Sequence, residues 1–247
     1  MISVIVCSRL NAADETHKNN VMNTIGCPCE YIRIDNCDNT YNLCSAYNTG
    51  VSRSMGDIFV FAHEDVFFVN KNWGVNLIDK FTDSSVGLVG VAGTQYLFKN
   101  TPGWVAAGRP WIKGQVIHET HGIDSRALTV FSWDAQDADV VAVDGLFFAI
   151  RASLFSTIRF DDITFNGFHL YDLDICMQVQ KTHRLIVTKD ILVRHLSGGS
   201  FDTKWQSYAM AFLKKYSNRL PVSCVTTVPD LSKRIHFENV NLHKAIK

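Results

Sequence analysis

The chain has 247 residues, 47% hydrophobic and 19% charged, which supports one α/β domain with a large core and excludes a disordered chain. Lys plus Arg and Asp plus Glu number 24 each, so no broad nucleic-acid surface is expected, although a local basic site is not excluded. No apolar run approaches the ~20 residues of a membrane span; peripheral membrane contact stays open.

The N-terminal "MISVIVCSRLN" lacks the basic start and cleavage site of a signal peptide and reads as a first strand, Ile2 to Cys7. Seven cysteines, an odd number without a regular framework, point to reduced thiols and a cytoplasmic protein. The polar stretch from Asn11 to Asn23 takes helical spacing in its second half. "EYIRID" is a second strand ending at Asp35. In the next segment Tyr41, Cys44 and Tyr47 recur at helical spacing, and "IFVFA" is a third strand. "NWGVNLIDKF" predicts a helix and "VGLVGVAG" a fourth strand. Strand, helix, strand, helix, strand is the pattern of a parallel sheet with right-handed crossovers.

Between Thr94 and Ala138 periodicity is poor, while Trp104, Trp111 and Trp133 accumulate. A stretch of this length is expected to be a mobile binding loop, or a surface excursion whose tryptophans pack on the core. "DVVAVDGLFFAIR" resumes strand character, broken at Asp144-Gly145. "LYDLDICMQVQ" is a helix, "LIVTKDILVRHLSGG" holds one or two short strands before His195, and "TKWQSYAMAFLKKY" is a final amphipathic helix. The tail from Ser217 is expected to wrap the body.

Ligands of open parallel sheets bind outside the carboxyl ends of the strands. Ser8 and Arg9, Asp35, and the run His63-Glu64-Asp65 stand at the first three such ends; Asp144 and His195 stand similarly later. In "AHED", His63 and Asp65 point the same way on an extended backbone and Glu64 points away. A nitrogen and an oxygen can then serve one cation; an ordinary loop-ordering cluster is the competing explanation. A zinc-protease motif is excluded, because position 67 is Phe67. Phosphate-loop and dinucleotide fingerprints are missing, and no Gly-x-Ser-x-Gly elbow occurs. "FNGFHLYDLDIC" sets His169, Asp172 and Asp174 at a helix start. Those carboxylates either complement the helix dipole or include a general base.

Taken in order, "SVIVCSR", "IRIDN", "AYNTGVSRSMGDIFVFAHEDV", "VDGLFFAIR", "FNGFHLYDLDIC" and "VRHLSGGS" resemble the nucleotide-sugar glycosyltransferases of the GT-A fold, in the family-2-like group, over roughly residues 1 to 205. The resemblance implies a Rossmann-like α/β sandwich with a mixed, mostly parallel central sheet. It implies a single domain with a nucleotide-binding half at 1–93, a flexible insertion at 94–138, an acceptor and catalytic half at 139–205, and a helix and tail at 206–247. It implies one Mn²⁺ or Mg²⁺ held by Asp65, His195 and His63, where His63 replaces the first Asp of the family's Asp-x-Asp. Ser8, Arg9, Asn48, Glu64 and Asp65 would meet the nucleotide, with Asp35 at uracil or ribose. Asp144, Gly145 and Trp104 would meet sugar or acceptor. Asp172 matches the family's base, with Asp174 and His169 beside it, and Tyr171 stands where an acidic residue often precedes that base. The implied reaction is inverting transfer from a UDP-sugar to an acceptor hydroxyl. A UDP-sugar-binding protein without turnover is the alternative. A sugar-nucleotide-forming nucleotidyltransferase is disfavoured, since the early Gly-rich basic loop is missing. Sugar, acceptor and oligomeric state are not encoded in these motifs.

Overall fold

A computed structural model describes residues 1–11, 13–119, 126–197, 203–230 and 238–241. The first half runs β1 (Ile2–Ser8), α1 (Thr16–Thr24), β2 (Cys29–Asp35), α2 (Leu43–Arg53), β3 (Ile58–His63), β4 (Val66–Phe68), α3 (Trp73–Lys80) and β5 (Val86–Gly90). Then follow β6 (Ala92–Thr94), β7 (Tyr96–Leu97), β8 (Ile112–Glu119), β9 (Arg126–Val130), β10 (Ala138–Val140), β11 (Ala142–Val143) and β12 (Phe147–Arg151). The chain continues with α4 (Tyr171–Val179), β13 (Arg184–Val187), β14 (Val193–His195), α5 (Thr203–Lys215), β15 (Val222–Ser223) and β16 (Glu238–Asn241).

Seven strands form the central sheet in the order β10-β13-β5-β12-β3-β1-β2. β12 runs antiparallel to both its neighbours and β10 antiparallel to β13, while β1 is parallel to β2 and β3, and β13 to β5. The sheet is therefore mixed and mostly parallel, as expected. Its inner strands β3, β5 and β12 read as apolar runs because both faces are covered. Along β3, Phe59 and Phe61 enter one core cluster, and Ile58, Val60 and Ala62 enter the other. Successive side chains of a strand point to opposite faces, so one strand feeds two cores. On the first face Phe61 stacks on Phe148 at 5.2 Å and meets Phe160 edge-on at 4.9 Å. Burying each such ring contributes roughly 1.5–3 kcal/mol. On the second face Trp73 lies flat on Phe68 at 3.9 Å.

A second sheet has the order β11-β6-β8-β14-β4, with β9 beside β8 and β16 beside β9. β4 follows β3 after only Glu64 and Asp65, so this two-residue turn joins the two sheets. The 94–138 stretch thus differs from the expected irregular insertion: its described residues supply β7, β8 and β9, and β8 is central to the second sheet. Gly103 and Gly108 stand between β7 and β8, and Gly114 lies within β8, all three with positive φ, of 152°, 67° and 100°, which hid the alternation. Trp104 packs against both cores and meets Phe131 edge-on at 4.9 Å, whereas Trp133 is exposed. Gly122 of this stretch, the glycines after His195 and the last residues of the tail lie outside the described residues. The described tail does wrap the body, since β15 pairs with β7 and β16 with β9. No helix among the described residues is long and apolar enough to cross a membrane.

Candidate functional site

β3 ends in His63, the following turn carries Asp65, and β14 ends in His195. Antiparallel pairing sets His195 opposite Val66, which brings a distant histidine to the His63–Asp65 turn. One ligand atom from each of His63, Asp65 and His195 lies within 4.8 Å of the others, the one such group among the described residues. His195 Nε2 stands 3.5 Å from Asp65 Oδ1 and 3.1 Å from Ser197 Oγ. Burial opposes charge on Asp65, but hydrogen bonds from His195 and Ser197 and the imidazoles around it hold its carboxyl well below the usual range. His63 is pushed down to about 4, mainly by burial and then by His195. At neutral pH the group offers a carboxylate and, at His63, a neutral imidazole, which suits a divalent cation.

His63 leads to the predicted base. Its Nε2 lies 2.8 Å from Tyr171 Oη, Tyr171 Oη donates to Gly145 O at 3.0 Å, and Gly145 N donates to Asp172 Oδ2 at 3.0 Å. Only glycine fits at 145, because a Cβ there would sit 2.3 Å from Tyr171 Oη. Asp172 occupies the first turn of α4, where Leu173 N also donates to it at 2.9 Å. Its pKa is nevertheless raised to about 7, by burial first and the Asp144 carboxylate second. Asp144 is also raised by burial, against hydrogen bonds from Leu146 N and the Trp104 indole and the pull of His195. Asp144 thus lies close to both His195 and Asp172, Gly145 bonds Tyr171 and Asp172, and Trp104 joins the group through Asp144.

A cleft of about 470 Å³ opens beside this constellation, lined by Arg9, His17, Tyr47, His63, Asp65 and Phe168 among others. Glu64 also lines it, but its carboxylate is spent on the turn after β1: Oε2 accepts from Ser8 Oγ at 2.6 Å, Arg9 N at 2.9 Å and Leu10 N at 3.2 Å. Ser8 and Glu64 thus shape the wall. The Arg9 guanidinium lies 5.4 Å over the Phe168 ring.

Four expected site residues are not gathered in. Asn48 grips the chain at Phe160, donating to its carbonyl at 2.9 Å and accepting from its amide at 3.1 Å. Asp174 is buried on the far side of α4, where it accepts from Lys215 Nζ and Tyr216 Oη, both at 2.6 Å, and from Gln178 Nε2 at 2.8 Å. His169 lies against Tyr208, with ring centroids 6.3 Å apart. Asp35 pairs with Ser8 across β1 and β2 yet is exposed, its carboxylate accepting from Cys37 N at 3.1 Å.

Two further histidines, His17 buried and His118 half-buried, were not singled out by the sequence. His17 lies in the cleft wall with Nδ1 2.9 Å from Tyr31 Oη, and burial pushes it down to about 4. His118 sits opposite His195 across β8 and β14, with Nδ1 2.9 Å from Thr129 Oγ1, and burial and His195 likewise push it down to about 4. Neither belongs to a motif; each lies where the sequence is polar or weakly periodic, and only strand pairing and packing bring it close.

The chain matches the family model described as "Glycosyltransferase like family" over residues 3–216. A mannosyltransferase from Pyrobaculum calidifontis, PcManGT, in complex with GDP-Man and Mn²⁺, has a similar fold: TM-score 0.55 and 13% identity, over 94% of this chain and 66% of that one. S. aureus TarS 1-349 with UDP-GlcNAc gives a TM-score of 0.53 at 12% identity, over 86% and 65% of the two chains. GalNAc-T7 with UDP, GalNAc and Mn²⁺ gives 0.53 at 10% identity, over 88% and 49%. This chain thus spans about half to two thirds of the length of these structures. No curated protein sequence matches it. At such identities the solved structures speak for a shared GT-A fold, and the family match covers most of the sequence: the chain belongs to the glycosyltransferase-like family.

Proposed function

We propose that this protein transfers a sugar from a nucleotide-diphosphate sugar, of the uridine type, to an acceptor hydroxyl with inversion. One observation carries the reading. A cation-compatible group, His63, Asp65 and His195, is tied by unbroken hydrogen bonds through Tyr171 and Gly145 to Asp172, a carboxyl raised to about 7. Two of the similar structures carry Mn²⁺ and two carry a uridine nucleotide, and the donor set here fits such a cation. When bound, the cation supplies positive charge to offset that on the departing diphosphate.

Asp172 takes the proton of the acceptor hydroxyl. The acceptor oxygen forms its bond to the anomeric carbon from the face opposite the donor phosphate, and the carbon–oxygen bond to the diphosphate breaks. Asp144, bonded to the Trp104 indole and coupled to Asp172, is the residue we assign to the sugar. The Arg9–Phe168 pair gives the cleft the planar and cationic surfaces that a nucleoside diphosphate needs. Seven free thiols support a reducing, cytoplasmic setting.

Calorimetry with UDP and Mn²⁺, followed by assay with UDP-sugars, tests this. Asp65→Ala should abolish metal-dependent nucleotide binding. Asp172→Ala should keep binding and lose turnover. Normal metal-dependent binding by Asp65→Ala would show the site to be misassigned. Tight UDP binding with neither hydrolysis nor transfer by wild type would establish the non-catalytic alternative.

A further inference from the structure

Lys215, which docks on Asp174, also lines a second cavity, of about 650 Å³. Arg159, Lys181 and Arg219 share that lining with it, against the carboxylates of Asp161 and Asp162. The carboxylates are committed elsewhere. Asp161 accepts from Ile163 N at 3.2 Å, Thr164 N at 2.9 Å and Lys215 Nζ at 2.6 Å. Asp162 pairs with Arg159 at 3.3 Å and accepts from Asn48 Nδ2 at 3.4 Å. Lys215 is neutralised by Asp161 and Asp174, both at 2.6 Å. The other two cations are not. Arg219 donates from Nη1 to Met177 O at 2.6 Å and lies 5.8 Å over the Tyr216 ring. Among the described residues it has no carboxylate partner, and the Lys181 ammonium has no acceptor.

A guanidinium offers five donors in a rigid fork. Arg219 is half-buried, fixed by one carbonyl and one ring, and keeps the remaining donors for whatever fills the cavity. The end of α4 does not repel an anion there, because its last carbonyls are covered. Gln180 N takes Cys176 O, Arg219 takes Met177 O, Lys181 N takes Gln178 O, and Thr182 and His183 N take Val179 O. Two cations without partners match one phosphate monoester, whose charge is about −1.5 to −2 at neutral pH; a carboxylate would match only one of them. We propose that this cavity binds a phosphoryl group, carried by a soluble phosphate ester or by a phospholipid headgroup, with Arg219 as the fork and Lys181 as the second charge. Ile163, 85% exposed in the cavity lining, suits the lipid source, and the cavity's size suits the soluble one.

The test uses the full chain in chelator, so that no divalent cation assists binding in the catalytic cleft. Glycerol 3-phosphate is titrated by phosphorus-31 NMR, and sedimentation follows binding to phosphatidylcholine vesicles with and without phosphatidic acid. Wild type should bind at least one of the two probes. Arg219→Gln and Lys181→Gln should each weaken that binding by about tenfold or more, the loss of one charge-assisted contact. Arg9→Gln, which alters the catalytic cleft instead, should leave it unchanged. Binding of glycerol 3-phosphate alone assigns a soluble ester. Uptake by phosphatidic acid vesicles alone assigns the headgroup, and binding of both assigns the phosphoryl group they share. Because Lys181 is exposed, its substitution reports on the site even if Arg219→Gln disturbs the fold. Failure of wild type to bind either probe overturns the proposal, as does binding that Lys181→Gln leaves undiminished.

Discussion

Asp172 is a carboxyl whose environment works against its charge. Burial and Asp144 lift it to about 7, from about 3.9 in an unfolded chain. The native state holds that proton where the unfolded state has lost it, so this group weakens the fold as pH rises from about 4 to 7. The same shift makes it an effective base near neutrality. Asp172→Asn should therefore unfold at higher temperature than wild type at pH 8, while kcat falls by roughly 10²–10⁴-fold. In wild type kcat should climb with pH through about 7. A pH profile flat between 6 and 8 would remove Asp172 from the role of base. His17 runs the other way. Its folded value of about 4 lies below the unfolded value, so unfolded chains bind the extra proton and stability drops as pH falls from about 6.5 to 4. Full burial sets an upper bound of roughly 3 kcal/mol on this loss. Urea denaturation of His17→Gln across that window should show a shallower decline than wild type.

Helix α4 shows how much an element reveals on its own. "YDLDIC" carries its two carboxylates two residues apart, and such positions do not share a helix face. Both carboxylates stood as candidates in the motif, and what separates them lies in α5, forty residues on. Lys215 and Tyr216 dock there and both bond Asp174 at 2.6 Å. Asp174→Ala should lower unfolding free energy by about 2 kcal/mol, modest for a buried ionic contact, because Lys215 is partly exposed and keeps Asp161 at 2.6 Å. Per folded molecule, kcat should be unchanged; a loss of 10²-fold or more would return Asp174 to the catalytic group. Strands of the central sheet were legible for the opposite reason. Their long apolar runs are self-sufficient signals, whereas β8 and β9 are defined by pairing with each other and with β14. That is also why His63 and Asp65 could be read from one motif and His118 could not.

At the scale of the whole molecule the candidate site is a seam. His63 closes a central strand, Asp65 sits in the turn between the sheets, and His195 ends a strand of the second sheet. A ligand that engages all three joins both sheets, so its binding energy should appear as resistance to global unfolding. At a free ligand concentration 100 times Kd the gain is about 2.7 kcal/mol, which for a chain of this size corresponds to roughly 5–10 °C in Tm. Mn²⁺ and UDP together should raise Tm by that amount, and Mn²⁺ or UDP alone by less. Asp65→Ala should lose the joint shift, because the carboxylate that carries the cation's main countercharge is gone. Asp172→Asn should retain it, since Asp172 bonds Gly145 and Leu173 rather than the His–Asp group. A joint shift that survives in Asp65→Ala would mean that nucleotide and cation bind away from the seam. A shift lost equally in both variants would mean that Asp172 helps to hold the donor rather than only to deprotonate the acceptor.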